Sequence, residues 1–179
     1  QVLLAIMSSM YAVYHGPRSI KNIAYRVNKF CSQLAKSFSK AGIELFHDKF
    51  FDTIRIYPKN DWKILAQKEK FNFRIYEDDS IGISIDEQTK EIDISKICEI
   101  FNVKKNESKV EFPTEFKRKT DYLTHDVFNH YHSETEMLRY IHKLETKDLS
   151  LNTSMIPLGS CTMKLNATSE MVPVTWNEV

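Results

Sequence analysis

The chain has 179 residues, of which 42% are apolar, and a formal net charge of +1. This length and composition fit one ordinary domain or parts of two, and they argue against disorder throughout. The balanced charge offers no net attraction to nucleic acid or to an anionic membrane. No apolar run approaches the roughly 20 residues that cross a bilayer. We therefore expect a soluble protein with neither nucleic acid nor a membrane as partner.

The number and spacing of the cysteines, histidines and glycines argue against a disulfide framework, a metal site and a glycine-rich nucleotide-binding loop. Three cysteines, at positions 31, 98 and 161, lie far apart, which is typical of a reducing compartment rather than a disulfide framework. The histidines of "THDVFNHYH" (residues 124–132) lack the spacing of metal ligands, so no metal site is expected. Four isolated glycines leave no dinucleotide fingerprint and no Walker loop, which excludes a self-contained nucleotide-binding domain of either kind.

The first part of the chain predicts two helices between Val2 and about Ala41, because apolar residues recur there at helical intervals. The step "HGP" separates the two helices, with Gly16 as a C-cap and Pro17 beyond it. Ser19 is the expected N-cap of the second helix, and Gly42 is expected to end it.

Residues 43–103 change from helical to alternating periodicity. "FFDTIRIYP" predicts a strand that stops at Pro58, and "DWKILAQKEK" predicts a helix capped by Asp61. "FNFRIY" and "SIGISID" predict a hairpin joined by the acidic turn "EDDS", and "EIDISKICEIFNV" predicts another helix. The order β-α-β-β-α predicts a compact two-layer unit of α/β class, flanked by helices.

Residues 104–119, "KKNESKVEFPTEFKRK", are polar and end in a basic run. They predict a surface linker and a domain boundary. Beyond them a strong helical pattern returns, in which Ser133 and Glu136 form a capping box before Met137.

The stretch "SMIPLGSCTMKLN" (residues 154–166) is the most distinctive motif of the chain. A turn at Gly159 followed by Ser160 and Thr162 would present donors to a phosphate or carboxylate, with Lys164 as a point charge. Cys161 as a nucleophile is a second interpretation, although no histidine partner comes with a spacing rule. A structural turn with an exposed lysine is the third, and the residues alone leave all three open.

A resemblance narrows these alternatives. "HYHSETEMLRYIHKLETKDLSLNTSMIPLGSCTMKLN" resembles the start of the second half of glycine dehydrogenase (decarboxylating), the P-protein family of the glycine cleavage system. "QVLLAIMSSMYAVYHGP" resembles the end of the first half of that family. "HDKFFDTIRIY" and "FNFRIYEDDSIGISIDE" resemble the small domain that closes this first half. The resemblance covers nearly the whole chain except residues 104–119, and the motif S-C-T-M-K is uncommon elsewhere.

The resemblance implies a pyridoxal 5'-phosphate enzyme of the aspartate-aminotransferase-like fold, fold type I, built from two homologous halves. Such an enzyme releases CO2 from glycine and passes the aminomethyl group to the lipoamide of the lipoylated H-protein. The cofactor supplies the electron sink, and the protein supplies position and charge balance. A homodimer of the intact chain is implied, in the cytoplasm of a bacterium or in the mitochondrial matrix of a eukaryote.

The resemblance also implies a domain assignment. Residues 1–42 correspond to the last helices of the N-terminal half and residues 43–103 to its small α/β domain. Residues 104–119 form the linker, and residues 120–179 begin the C-terminal half. On this view the chain is an internal fragment, which is expected to be inactive alone.

The same resemblance assigns the candidate residues. The Schiff-base lysine of the family follows a histidine beyond the position of Val179, so no catalytic residue is expected here and Lys164 is not that lysine. Ser160, Thr162 and Lys164 are expected to line the cofactor pocket, and His132 is a weaker candidate. The pair His142–Lys143 falls on the exposed side of its helix and does not match the family's pair.

One alternative of a different class remains. The β-α-β-β-α unit of residues 43–103 is also compatible with a free-standing module that senses a small ligand or binds a protein, with the flanking helices as partner surfaces.

Overall fold

The computed structural model of the chain describes residues 1–110, 112–148, 153, 155 and 167–178. The chain divides into two compact units. One unit comprises His15–Thr124, and the other comprises Gln1–Tyr14 together with the described residues from His125 onward. Helices and a three-stranded sheet make up the described part, which agrees with the expected α/β class at that level. The domain boundaries implied by the resemblance stay predictions.

Helix α1, Val2–Lys40, is interrupted at Gly16, whose backbone has φ 64° and ψ 175°. These angles are accessible to glycine and strained for other residues. Helical geometry resumes at Pro17, whose fixed φ and missing N–H suit the first position of a helix. The predicted division into two helical segments is confirmed. The predicted Ser19 cap is wrong, because the helix has already restarted at Pro17.

The end of α1 is closed by a Schellman motif. Gly42 has φ 71°. Its N–H donates to the Ser39 carbonyl at 3.0 Å, and the N–H of Ile43 donates to the Phe38 carbonyl at 3.0 Å. These two bonds satisfy carbonyl groups that the last turn would otherwise leave without partners. The prediction that Gly42 ends the helix is confirmed.

Two later helices end in the same way without glycine. After α2, Lys63–Lys68, the residue Lys70 has φ 60° and its N–H donates to Gln67. After α3, Glu91–Ile100, the residue Asn102 has φ 52° and its N–H donates to Glu99. A lysine in this left-handed conformation carries a cost that glycine does not.

The start of α2 differs from the prediction. Trp62 occupies the N-cap position with φ −82° and makes no side-chain capping bond, so the predicted Asp61 cap is wrong. The indole of Trp62 is 8% exposed and packs edge-on to the ring of Phe73 at 5.6 Å and near that of Phe101 at 6.0 Å. Because this ring is held in the core, the helix begins beside it rather than at Asp61.

The sheet has strands β1, Thr53–Ile56, β2, Arg74–Ile75, and β3, Ile81–Ser84, in the order β1-β3-β2. Both pairings are antiparallel, with Ile54 opposite Ile83 and Arg74 opposite Gly82. The predicted hairpin and the order β-α-β-β-α over residues 43–103 are confirmed.

One face of the sheet packs with α1 and α3 around the apolar core of the His15–Thr124 unit. The largest apolar side chains that are fully enclosed are Leu34, Phe38, Ile56, Ile81, Ile94 and Ile100. The rings of Phe38 and Phe101 meet edge to face with 5.4 Å between centroids. This arrangement is the two-layer unit that the sequence predicts.

In the other unit, α4, Glu134–Glu145, is a 12-residue helix that buries Met137, and α5, Thr168–Met171, is a single turn. A short 3-10 helix, Val172–Thr175, continues from α5. Of the helices that the structure describes, none has both the length and the apolar character that crossing a membrane would require.

Candidate functional site

Most residues of the predicted cofactor pocket lie outside the described residues. They include Ser160, Thr162 and Lys164, and the neighbouring Cys161 is not described either. Their expected roles stay predictions. The structure does describe the two flanks of the motif, namely the helix that precedes it and the turn that follows it.

The helix before the motif is fixed at its start by a reciprocal capping box. The N–H of Glu136 donates to the Ser133 hydroxyl at 3.3 Å, and the N–H of Ser133 donates to the Glu136 carboxylate at 3.3 Å. The Ser133 hydroxyl also donates to that carboxylate at 2.9 Å. The bond from the Ser133 hydroxyl is the main reason why the pKa of Glu136 lies below its usual range. The predicted capping box is confirmed, and it explains Ser133 without a ligand.

His132 directly precedes this cap and is exposed. Its Nδ1 lies 2.7 Å from the carbonyl oxygen of Tyr14. A carbonyl only accepts hydrogen bonds, so Nδ1 carries the proton and Nε2 of the neutral ring is left with its lone pair. The ring is therefore oriented by the backbone of α1. The role of His132 at a cofactor pocket stays a prediction.

The turn after the motif is closed by its own short-range bonds. The N–H of Ala167 donates to the Glu170 carboxylate at 3.1 Å, and the N–H of Glu170 donates back to the Ala167 carbonyl at 3.0 Å. This reciprocal pair starts α5. Further along, the indole of Trp176 is 53% exposed, which is unusual for so large an apolar ring.

The described lysines do not resemble an activated amine. His142 and Lys143 are both exposed, as predicted, and Nδ1 of His142 lies 3.4 Å from the Glu145 carboxylate. No lysine in residues 1–110 or 112–148 is buried, whereas a Schiff-base lysine needs a desolvated setting. The same described ranges contain no group of three or more residues arranged to hold a metal ion.

Arg55 on β1 is the centre of a side-chain cluster that was not among the predicted site residues. The guanidinium carbon of Arg55 lies 4.1 Å from the ring centre of Phe46 and 4.0 Å from that of Tyr76. Its Nε donates to the Ser80 hydroxyl at 2.6 Å, and its Nη2 donates to the Asp78 carboxylate at 2.7 Å. Hydrogen bonds from Ser80 and Arg55 hold the pKa of Asp78 well below its usual range.

A sequence signal for this cluster does exist. Alternation along β1 places Arg55 on the face opposite Ile54 and Ile56, and its partner in β3 is Gly82, which has no side chain. An arginine opposite a glycine has room to lie flat against neighbouring rings. Because Nε and Nη2 of Arg55 donate to Ser80 and Asp78 and two rings cover the guanidinium, we interpret the cluster as one that stabilises the sheet.

The two described cysteines are buried in the His15–Thr124 unit. Burial raises the pKa of the Cys31 thiol to about 12, and burial likewise raises the pKa of Cys98. A raised pKa leaves little thiolate at neutral pH, so neither thiol has the character of a nucleophile.

A cavity of about 390 Å³ lies beside β3 and α3 in the His15–Thr124 unit. Its acidic groups are already engaged, because Asp86 accepts from the N–H groups of Gln88 and Thr89, and Asp93 accepts from the N–H of Lys90. A ligand site normally offers several convergent polar groups that are still available. In this cavity one oxygen of each of these carboxylates is bound to the local backbone.

Comparison with known proteins places the chain in one family. The family model described as glycine cleavage system P-protein matches residues 1–101. The glycine dehydrogenase (decarboxylating) of a Nostoc species is 48% identical over 196 residues, which cover 99% of this chain and 20% of that protein. The proteins of the same name from Thermosynechococcus vestitus and Bdellovibrio bacteriovorus are each 48% identical, over 184 and 192 residues.

The chain spans about 20% of the length of these relatives. The similarity extends over 99% or more of the chain, through both units and through the motif of residues 154–166. The family model alone covers more than half of the chain. The chain therefore belongs to the glycine cleavage system P-protein family.

Proposed function

We propose that the chain acts as part of a glycine dehydrogenase (decarboxylating). That enzyme releases CO2 from glycine and transfers the aminomethyl group to the lipoamide of H-protein. The observation that carries the proposal is the 48% identity over 99% of the chain to proteins of this name. Identity at this level over nearly the whole chain, including the motif, favours a shared role rather than a shared fold alone.

The proposal includes pyridoxal 5'-phosphate and the type I fold of the intact enzyme. None of the lysines in the described residues is buried, and we propose that the Schiff-base lysine lies elsewhere in the intact enzyme. We assign Ser160, Thr162 and Lys164 as pocket-lining residues of the intact enzyme, with hydroxyl donors and a positive charge for an anionic group. His132 is a weaker member of the same set.

The exposed apolar residues at the start of α1 support the proposal that the chain works within a larger assembly. Val2, Leu3 and Leu4 are 67–74% exposed, and Ile6 and Met7 are more than half exposed. Contiguous apolar surface on a protein usually marks a contact. We propose that the remainder of a family-length enzyme covers it, with residues 1–42, 43–103, 104–119 and 120–179 in the domain roles given above.

Further parts of the proposal follow from the family. The intact enzyme is a homodimer whose partners are glycine and lipoylated H-protein. Its place is the bacterial cytoplasm or the mitochondrial matrix, according to the source. A free-standing ligand-sensing module remains the alternative, but the cavity beside α3 gives it little support, because both of its aspartates are partly engaged by the local backbone.

A chimera tests the proposal. Residues 1–179 replace the matching segment of the Nostoc relative, and release of CO2 from carboxyl-labelled glycine is measured with lipoylated H-protein. We expect activity within about tenfold of the unmodified relative, since near 50% identity preserves most core contacts. A chimera that is folded and dimeric but has no activity would contradict the proposed function.

Single substitutions in the chimera test the pocket assignment. Ser160→Ala, Thr162→Ala and Lys164→Met should each weaken retention of pyridoxal phosphate, measured by absorbance after dialysis. The matched control is Lys147→Met, which removes an exposed lysine of the same unit. Borohydride reduction followed by peptide mapping should leave Lys164 unlabelled. Stoichiometric labelling of Lys164 would show that it is the Schiff-base lysine after all.

A further inference from the structure

Two polar side chains are enclosed on α1 beside its apolar face. Gln33 and Ser37 lie one turn apart, and each is only 1% exposed. Burying an amide or a hydroxyl is costly unless it forms hydrogen bonds. The Ser37 hydroxyl donates to the Gln33 carbonyl of the same helix at 2.7 Å, and the other partners in the structure come from another part of the chain.

The partners come from residues 104–110, which we call the strap. The Gln33 amide donates to the Glu107 carboxylate at 2.7 Å. The N–H of Asn106 donates to the Ser37 hydroxyl at 2.8 Å, and Lys40 donates to the Asn106 side chain at 2.9 Å. Three hydrogen bonds thus join the strap to successive turns of α1.

The thiol of Cys98 lies at the same place. Cys98 is 2% exposed, and Ser37 is its hydrogen-bond partner. The charge of Lys105 on the strap also acts on this thiol. The strap follows α3 directly, since the N–H of Val103 closes the helix on the carbonyl of Cys98. Ser37 therefore connects the strap to the thiol.

The strap contributes little to the apolar core. Of residues 104–110 only Ser108 is buried, and it is polar. The core cluster of this unit draws its members from α1, the sheet, α2 and α3 and their connections. The strap is also attached to α3 by the ion pair of Lys105 with Glu91. A segment fastened mainly by polar contacts opens with less free energy than global unfolding, because little apolar surface of its own becomes exposed to water.

We propose that residues 104–110 are a latch that opens over Gln33, Ser37 and Cys98 while the apolar core of the unit stays folded. This segment is polar in sequence and is attached in the closed state, so it is neither a free linker nor part of the core. Both thiols belong to the core cluster, but Cys98 contacts the strap through Ser37. Cys31 is fully buried on α1 and is expected to become accessible only when the unit unfolds.

The two thiols provide the test. The 179-residue protein is treated with iodoacetamide over a series of urea concentrations below the unfolding transition, and alkylation of each cysteine is followed by peptide mass spectrometry. We expect Cys98 to react at least about tenfold faster than Cys31, with a weaker dependence on urea. Equal rates with equal urea dependence would mean that both thiols open by one global event, and the latch would be disproved.

A substitution on the strap sharpens the test. Glu107→Ala removes the acceptor of the Gln33 amide, and the matched control Lys109→Ala truncates an exposed side chain two residues further along. Glu107→Ala should raise the Cys98 rate by about fivefold or more and leave the Cys31 rate unchanged, as expected for local opening. A rise in both rates would show that the strap opens only together with the core, which would also disprove the latch. An unchanged Cys98 rate would show that the strap does not control access to it.

Discussion

Arg55 and Asp78 form an ion pair in which Nη2 lies 2.7 Å from Oδ2. Arg55 belongs to β1, whereas Asp78 lies in the turn between β2 and β3. The pair therefore joins the outer strand β1 to the hairpin across the sheet. The rings of Phe46 and Tyr76 cover the guanidinium, which shields it from water and strengthens the contact.

This pair predicts a dependence of stability on pH. The pKa of Asp78 is lower in the folded protein than in the unfolded chain, so the charged carboxylate stabilises the fold at neutral pH. That contribution is present above the unfolded pKa of about 4 and is lost as the pH falls through the lower folded value. Asp78→Asn should lower the urea midpoint at pH 7 and have progressively less effect below pH 4.

The control for this prediction is Glu77→Gln, which removes a charge from the same turn and no bond to Arg55. Urea unfolding of the three proteins at pH 7, 4 and 2.5 gives the comparison. A difference between wild type and Asp78→Asn that is the same at all three pH values would show that the pair is not electrostatic in origin.

The backbone conformations at the helix ends predict that two substitutions change the stability of the protein in opposite directions. Gly42 has φ 71°, and an added Cβ would meet only the Lys59 ammonium at 3.5 Å. The main penalty of Gly42→Ala is therefore the strained backbone conformation and not a steric clash. We expect it to destabilise the protein by about 1 kcal/mol. Lys70→Gly places glycine at the equivalent position after α2 and should stabilise by about 0.5–1 kcal/mol. Chemical denaturation measures both changes, and two changes of the same sign would contradict this account of the helix ends.

These helix ends also show what the sequence can predict. Gly42 was predicted because glycine is the usual residue at that position. Lys70 and Asn102 adopt the same conformation without that signal, since the tertiary contacts of the following Phe71 and Val103 hold them there. The start of α2 was misplaced for a similar reason. Capping preference favours Asp61, whereas the buried ring of Trp62 decides where the helix begins.

In the candidate site, too, features that depend on neighbouring residues were predictable, whereas features that depend on distant residues were not. The capping box of Ser133 and Glu136 depends on residues three apart, so it was predictable from a short stretch of sequence. The bond between His132 and the Tyr14 carbonyl joins residues 118 positions apart, and no local pattern indicates it. The Arg55 cluster likewise requires the register of β1 and β3. The chemistry of the motif at residues 154–166 was inferred from residue types and resemblance, and it stays a prediction.

The packing of the core predicts that truncation of Phe38 strongly lowers the unfolding free energy. Phe38 is fully buried and packs edge to face on Phe101, and its carbonyl accepts from the N–H of Ile43 in the motif that ends α1. Phe38→Ala should cost about 3–5 kcal/mol of unfolding free energy, because it leaves a cavity in the core. Ile64→Ala is the control, since Ile64 is 73% exposed and its truncation should change stability by less than about 0.5 kcal/mol. Similar losses for both variants in urea unfolding would mean that this core is not the one that stabilises the unit.

The capping box predicts that α4 depends on Ser133. Ser133→Ala removes the acceptor of the Glu136 N–H and the donor to the Glu136 carboxylate, so it should destabilise the helix by about 1 kcal/mol. Thr135→Ala is the control, because Thr135 is exposed in the same first turn. Amide hydrogen exchange of α4 measures the effect: Ser133→Ala should speed exchange by about fivefold, and Thr135→Ala should leave it nearly unchanged.

The pH dependence of the Ser133→Ala effect on helix stability distinguishes loss of the cap from a general loss of helix propensity. The cap holds the pKa of Glu136 below its usual range, so its contribution is present above the unfolded pKa of about 4 and is lost as the pH falls through the folded value. The difference in helix stability between wild type and Ser133→Ala should therefore narrow under acid conditions, measured by circular dichroism at pH 7 and pH 3. If the difference stays constant, the Ser133 hydroxyl acts only through the backbone N–H of Glu136, and the carboxylate side of the box contributes nothing.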